Sequence, residues 1–238
     1  MLLRDADAVY QARAQQEVRL VASPALTEGP FFVDEMLNRS DLIGDTTRPS
    51  VKNGVPLLLA VRLYKLADGK FAPLKGAMVD VWHCDAQGVY SDEDHPMNHE
   101  NTAGQKWLRG HQVSDATGLV QFKTIVPGWY PGRTGHIHFK VRQTLDGTTK
   151  EFTSQLFFDD AVMEGIYANS PYMLRGARDA RNATDGIFRE RQADGSVAGD
   201  QLLLDLKKAA KGYRAGFAVA LTDDNLRTGR RRGFRGPF

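Results

Sequence analysis

Two histidines separated by one residue, His136 and His138, have a spacing that indicates a chemical role. In a β-strand, side chains two residues apart point to the same face, so both imidazoles project together about 6.5–7 Å apart along the backbone. Two rings at that separation can converge on one metal ion with bonds of about 2 Å. The pair alone is a weak signal, because surface or hydrogen-bonded histidines occur at the same spacing.

Two tyrosines lie in turn-rich segments close to these histidines in the sequence. Tyr130 belongs to residues 127–135, a stretch dense in Gly and Pro that leads directly into the histidine strand and also carries Arg133. Such composition indicates a shaped loop. Tyr90 follows an apolar run and a Gly turn in residues 80–90. A tyrosine at a turn is more often a cover residue of the core, so neither tyrosine alone identifies a site.

Together these residues resemble a known family. The order is Gly-Val-Tyr ending at Tyr90, then Trp-Tyr-Pro-Gly-Arg-x-x-His-x-His over residues 129–138, then Ser-Gln-Leu-Phe-Phe over 154–158. This order is similar to that of the intradiol ring-cleavage dioxygenases, which include catechol, protocatechuate and hydroxyquinol dioxygenases. Thr-Glu-Gly-Pro-Phe-Phe at 27–32 also resembles a family motif. The resemblance extends over residues 26–221 and is densest from 77 to 160.

The resemblance implies a metal centre with Fe(III) as the cofactor. Its ligands would be Tyr90, Tyr130, His136 and His138, with a solvent hydroxide as the fifth. In the family, the counterpart of Tyr130 is the axial ligand that leaves when substrate binds. His138 would lie opposite it, and the other two ligands would be equatorial.

The same resemblance implies catalytic roles for Arg133, Tyr130 and Gln155. Arg133 would face the bound ring and stabilise negative charge that develops on the substrate. Gln155 would hydrogen-bond the ring oxygens or the hydroxide from outside the ligand set. Tyr130, once released, would be a base for a substrate proton.

The proposed ligand chemistry is balanced in charge. An unperturbed tyrosine has a pKa of about 10, but a bound trivalent ion favours the phenolate. Two phenolates and a hydroxide then neutralise the three positive charges. A catechol dianion can replace Tyr130 and hydroxide without changing the charge of the site.

We therefore expect an enzyme that uses O2 to cleave a catecholic ring between its hydroxyl groups, giving a cis,cis-muconate-type dicarboxylate. An alternative is a β-sandwich binding module with a vestigial metal site, since sandwiches serve many functions. Zinc-dependent hydrolysis fits less well, because zinc sites rarely use two phenolates.

The sequence resembles the protocatechuate-type β subunit or the small stand-alone members, and the particular catechol stays open. The expected partners are a catechol-type small molecule and O2, in a homo-oligomer such as a dimer.

Short apolar runs bounded by Gly, Pro, Asp or Asn predict a mainly β fold, a β-sandwich with long functional loops at 84–118 and 160–200. The predicted domains are an N-terminal helical extension (1–24, with a helix at 4–20), the catalytic sandwich (25–222) and a basic flexible C-terminal tail (223–238). The predicted strands are 56–66, 77–83, 119–125, 136–143, 151–158, 201–207 and 212–221.

Composition restricts the remaining possibilities. The net charge of +2 over 238 residues gives no support for nucleic-acid binding, and the arginines of the tail are interpreted as a solvated or subunit-contact arm. The single cysteine, Cys84, excludes an intrachain disulfide and a cysteine-based zinc site. No run approaches the ~20 apolar residues of a spanning helix, and residues 1–16 do not form a signal peptide. We expect a cytoplasmic protein without a membrane partner, with export after removal of a leader as the alternative.

Overall fold

The structure, a computed structural model, describes residues 22–67 and 69–228. Within these residues the chain forms two β-sheets and few helices, which confirms the predicted mainly β sandwich. The strands are β1 (Pro56–Ala67), β2 (Lys70–Pro73), β3 (Met78–Trp82), β4 (Arg109–Val113), β5 (Leu119–Ile125), β6 (His136–Leu145), β7 (Thr148–Phe158), β8 (Leu203–Leu204), β9 (Lys207–Lys208), β10 (Tyr213–Leu221) and β11 (Arg227–Thr228). The helices are α1 (Pro49–Lys52), α2 (Asp160–Tyr167) and α3 (Ala198–Gln201), with 3-10 turns at Pro96–Asn98 and Tyr172–Arg175.

The first sheet is built around β1. This strand pairs in parallel with β10 and antiparallel with β5 and β2, and β9 extends the sheet beyond β10. The alternate residues Leu57, Leu59, Val61 and Leu63 of β1 are almost completely buried in the main hydrophobic core. Burial of one face of β1 is what anchors this sheet on its partner.

The second sheet has the order β11–β7–β6–β3–β4, with β8 also paired to β7. On the central strand β6, Ile137, Phe139 and Val141 belong to the main core. Because side chains alternate along a strand, His136 and His138 project from the opposite, outer face of the sheet. Both are nevertheless buried, because the segment before β1 covers this face. Leu26 N donates to the Thr153 carbonyl of β7 at 2.9 Å, and a Cβ added at Gly29 would lie 3.4 Å from the His138 ring.

Several strand predictions are confirmed, and the differences have physical causes. The prediction of one strand at 201–207 is wrong. Helix α3 ends at Gln201, and the following residues form β8, which pairs with β7 in the second sheet, and β9, which pairs with β10 in the first. The chain therefore crosses between the sheets there. Strand β4 was not predicted because its sequence, Arg-Gly-His-Gln-Val, is polar. Helix α2 lies in the predicted long loop 160–200, and the Asp159 carboxylate caps its first turn.

The predicted extension and tail lie largely outside the described residues. The helix predicted at 4–20 falls there, as do residues 229–238 of the tail. Residues 223–228 are part of the folded domain, since Leu226 is buried and β11 pairs with β7. Among the described residues, no helix has the length and apolar character needed to cross a membrane.

Candidate metal centre

Four side chains predicted as metal ligands converge on one point beside β6. His136 Nε2 lies 3.1 Å from His138 Nε2, 3.3 Å from the Tyr130 hydroxyl and 3.5 Å from the Tyr90 hydroxyl. All four residues are at most 4% exposed. The structure thus places two phenol oxygens and two imidazole nitrogens together in one buried cluster.

The His136 ring is oriented by the residue two positions before it. Its Nδ1 lies 2.7 Å from the Thr134 carbonyl oxygen. A carbonyl can only accept, so Nδ1 carries the proton and Nε2 presents a lone pair to the cluster. This is the tautomer that a metal-binding histidine needs.

The His138 ring is oriented by stacking. The indole of Trp82, its cross-strand partner on β3, lies parallel to the imidazole at 4.9 Å between centroids and an angle of 7°. Among the described residues, His138 Nδ1 has no hydrogen-bond partner. The aromatic stack, rather than a hydrogen bond, therefore fixes the direction of this ring.

Tyr90 follows a tight turn that a buried carboxylate holds. Asp85 Oδ1 accepts hydrogen bonds from the backbone N–H groups of Gln87 and Val89 at 2.8 and 3.0 Å. The Asn98 side chain accepts from Tyr90 N at 2.7 Å and donates to Tyr90 O at 3.0 Å. The main chain of Tyr90 is thereby fixed on both sides.

The loop of Tyr130 packs directly on the turn of Tyr90. A Cβ added at Gly88, which has φ of +82°, would lie 2.0 Å from the Trp129 carbonyl oxygen. Only glycine tolerates this contact and this dihedral together. Phe31 closes the cluster, with its ring stacked on Tyr90 at 4.4 Å and edge-on to Tyr130 at 5.9 Å.

Burial keeps the four groups neutral when no cation is bound. Burial raises the pKa of Tyr90 well above 10 and that of Tyr130 to about 12, although Arg133 opposes the latter shift. Burial and the positive charge of Arg133 hold the pKa values of both histidines well below 6.5. Neutral imidazoles are ready to bind a metal, whereas the phenols need a strongly charged cation to ionise.

The spacing of the donor atoms fits a single metal ion. Donor atoms about 2 Å from one ion, at angles of about 90–120°, lie about 2.8–3.5 Å from each other. The three distances from His136 Nε2, 3.1–3.5 Å, fall in this range. Among the described residues no cluster of three or more His, Cys, Asp or Glu could hold a metal, so tyrosine is essential to this candidate site.

Arg133 extends into the same cluster. Its Nη1 lies 3.4 Å from the Tyr130 hydroxyl and 3.5 Å from His136 Nε2. Its Nη2 donates to Gln155 Oε1 at 2.5 Å, while Gln155 Nε2 donates to the Thr27 carbonyl at 2.9 Å. The amide of Gln155 is therefore engaged with the protein at both ends, and it reaches the cluster through Arg133.

The fold and this cluster define a β-sandwich protein with a mixed tyrosine–histidine centre on the outer face of one sheet. The Dioxygenase family model matches residues 27–190, more than two thirds of the 238 residues. The chain belongs to the intradiol ring-cleavage dioxygenase family.

Curated relatives carry names from the same family. The protocatechuate 3,4-dioxygenase beta chain of Burkholderia cepacia is 31% identical over 156 residues, which cover 59% of this chain and 63% of the relative. The catechol 1,2-dioxygenase of Acinetobacter baylyi is 28% identical over 203 residues, which cover 73% of this chain and 61% of the relative. The chain thus spans about three fifths of the length of these relatives.

Solved structures agree with the sheet arrangement. An intradiol ring-cleavage dioxygenase from Tetranychus urticae superimposes with a TM-score of 0.69 and 28% identity, covering 85% of this chain and 95% of that one. The dioxygenase domain of a carbohydrate-binding fusion protein from Streptomyces sp. SirexAA-E gives a TM-score of 0.56 and 27% identity, covering 85% and 99%.

Three residues that support the site were not found from the sequence. Trp82 lies in an apolar strand like any core residue, and only the register of β3 with β6 places it on His138. Thr134 acts through its backbone carbonyl, which leaves no side-chain signal. Asp185, a partner of Arg133 at 2.9 Å, lies 52 positions away in a polar segment without periodicity.

Proposed function

We propose that the protein is an Fe(III)-dependent enzyme that cleaves a catecholic ring between its two hydroxyl groups with O2. The product is a cis,cis-muconate-type dicarboxylate. The observation that carries this proposal is that the Tyr90 hydroxyl, the Tyr130 hydroxyl and His138 Nε2 each lie 3.1–3.5 Å from His136 Nε2. Membership of the family supports the same assignment.

Iron is preferred because of the chemistry of the donors. When bound, Fe(III) supplies a centre that binds the catecholate and couples its oxidation to O2. Tyr90 and Tyr130 provide two hard anionic oxygens, which favour the ferric ion over softer divalent metals. His136 and His138 provide neutral nitrogens, since burial holds both imidazoles unprotonated.

Tyr130 is suited to receive a substrate proton. Its hydroxyl lies 3.4 Å from Arg133 Nη1, so a phenolate at this position would have a cationic neighbour. Burial raises its pKa to about 12, which makes the phenolate a strong base.

Arg133 is placed to stabilise negative charge on the substrate. Nε and Nη2 are held by protein carboxylate and amide groups, which leaves Nη1 directed at the ligand cluster. A guanidinium fixed before the reaction stabilises developing charge without reorganisation. Gln155 is proposed to act by holding this guanidinium. A binding module would have no use for such an arrangement, which supports catalysis.

The proposal is tested by assaying iron-loaded protein with catechol, protocatechuate, hydroxyquinol and chlorocatechols. We expect O2 uptake matched by formation of a dicarboxylate with one of them, and a burgundy colour from tyrosinate-to-iron charge transfer. Colourless protein with stoichiometric zinc, or no uptake with any catechol, contradicts the proposal. Size-exclusion chromatography of the same preparation tests the proposed homo-oligomer.

A further inference from the structure

The Asp185 side chain links the segment after α2 to the loop that leads into β6. Its side chain is fully buried and makes four hydrogen bonds that divide between its two oxygens. Oδ1 accepts from the backbone N–H groups of Ile187 and Phe188 at 2.8 and 3.1 Å. Oδ2 accepts from Arg133 Nε and from the Thr134 backbone N–H, both at 2.9 Å.

The first consequence concerns the direction of Arg133. The guanidinium is planar, so fixing Nε against Asp185 and Nη2 against Gln155 determines where Nη1 points. Nη1 is the nitrogen within 3.4–3.5 Å of the Tyr130 hydroxyl and His136 Nε2. Asp185 also balances the charge of Arg133, which is mostly buried beside the ligand cluster.

The second consequence concerns the His136 ring. Asp185 holds the N–H of Thr134, and Asn182 Oδ1 accepts from the Thr134 hydroxyl at 2.9 Å. The carbonyl of the same Thr134 accepts from His136 Nδ1 at 2.7 Å. One carboxylate oxygen therefore fixes both the cationic group and the backbone acceptor that sets the tautomer of a ligand.

We propose that Asp185 is a positioning residue of the metal centre, which aligns the Arg133 guanidinium and the His136 imidazole at the same time. This inference rests on the proposed function, because it assigns Asp185 a part in that reaction. Asp185 makes no direct contact with the four ligand atoms. Its effect passes through Arg133 and Thr134.

Two variants separate this role from the capping of the turn. Asp185→Asn keeps the shape of the side chain but removes its charge. Asp185→Ser keeps an oxygen for the Ile187 and Phe188 N–H groups and removes the one that faces Arg133. The matched control is Asp80→Asn, which breaks another buried pair, with Arg142 at 2.7–2.9 Å, neither member of which hydrogen-bonds to the four ligand residues or to Arg133 among the described residues.

We expect the iron-loaded Asp185 variants to lose about 10- to 100-fold in kcat. The KM for the catechol should change much less than kcat. The control should keep both parameters near the wild-type values. A wild-type kcat in the Asp185 variants overturns the proposal.

A second readout needs no metal and no activity. In 15N-histidine spectra of metal-free protein, His136 (assigned with His136→Gln) should be the pure Nδ1–H tautomer in the wild type and the control. It should be a tautomer mixture in the Asp185 variants, and an unchanged His136 signal overturns the proposal.

If neither variant folds, proton exchange at Arg133 Nε in the wild type decides: slow exchange supports the buried Asp185 contact, and exchange as fast as that of an exposed arginine overturns it. Wild-type protein that is colourless and inactive refutes the proposed function, while these spectra still test Asp185.

Discussion

At the scale of single residues, the candidate centre depends on four side chains and on the groups that orient them. His136 is directed by the Thr134 carbonyl and His138 by the Trp82 ring. A hydrogen bond orients one imidazole and an aromatic stack orients the other, so that their Nε2 atoms lie 3.1 Å apart. Such close approach of two buried nitrogens is favourable when a cation lies between them, since both then act as ligands.

Removal of one ligand should abolish the reaction without unfolding the protein. Tyr130→Phe keeps the ring and deletes only the oxygen, and His138→Ala deletes a ligand nitrogen. We expect loss of O2 uptake with the preferred catechol in both variants, with near-native circular dichroism. Unchanged uptake in both would refute the ligand set.

His83 gives a prediction about stability that is separate from the ligands. It is fully buried, with Nε2 2.6 Å from the Thr124 hydroxyl and Nδ1 2.8 Å from the Cys84 carbonyl, and burial lowers its pKa to about 4. Because the folded-state pKa lies below the unfolded value of about 6.5, its stabilising contribution is complete above pH 6.5 and is lost as the pH falls towards 4.

Urea denaturation of metal-free protein at pH 7.5 and 5.5 measures this contribution. The free energy of unfolding of the wild type should fall by about 1 kcal/mol more than that of His83→Gln over this interval. The other histidines are common to both proteins and cancel in the comparison. An equal decrease in the two proteins would show that His83 remains protonatable in the fold.

At the scale of elements, the site is formed where two loops meet on the outer face of a sheet. The turn after β3 delivers Tyr90, and the loop before β6 delivers Tyr130. Their aromatic side chains form a small cluster with Phe31, Trp82 and Cys84, separate from the main core between the sheets. The sheets thus position the histidines, and the contact between the loops positions the tyrosines.

Gly88 is the point at which this contact can be broken. In Gly88→Ala the new Cβ would meet the Trp129 carbonyl at 2.0 Å, so the two tyrosine loops must separate. We expect folded protein that has lost most of its bound iron and its visible absorption band. Gly104→Ala is the matched control, because Gly104 has a similar φ of +79° but no neighbour within 4 Å of the added Cβ. Equal iron content in the two variants would contradict the role of the contact.

The sequence predicted elements best where local pattern and tertiary environment agree. Strand β5 has the predicted limits, Leu119–Ile125, because its alternating apolar residues face one core. Strand β4 was missed because buried Arg109 and His111 replace the apolar residues that identify a strand. The ligand types came from motifs close in sequence, whereas Asp185 was missed because only the fold brings it to Arg133.

At the scale of the whole molecule, the two sheets do not depend on the metal centre. The core residues of β1, β3 and β6 lie between the sheets, and none of the four proposed ligands is among them. The centre joins the turn after β3, which carries Tyr90, to the loop between β5 and β6, which carries Tyr130. Metal binding should therefore stabilise the folded molecule without being needed to form the sheets.

Removal of iron by reduction and chelation should lower the thermal midpoint while far-UV circular dichroism at 20 °C stays the same. A ligand that binds only the folded state at a hundredfold excess over Kd contributes about 2.7 kcal/mol. For a domain of this size that corresponds to about 5–10 °C. Differential scanning calorimetry measures the change, and Tyr130→Phe treated in the same way should show a much smaller one. Equal shifts in both proteins would assign the stabilisation to another site.

The most direct test of the four-ligand centre is a crystal of iron-loaded protein measured on both sides of the iron absorption edge. We predict one anomalous peak, present above the edge and absent below it, within about 2 Å of the Tyr90 and Tyr130 hydroxyl oxygens and the Nε2 atoms of His136 and His138. Iron located elsewhere, or no iron peak among these four atoms, would contradict the proposed centre.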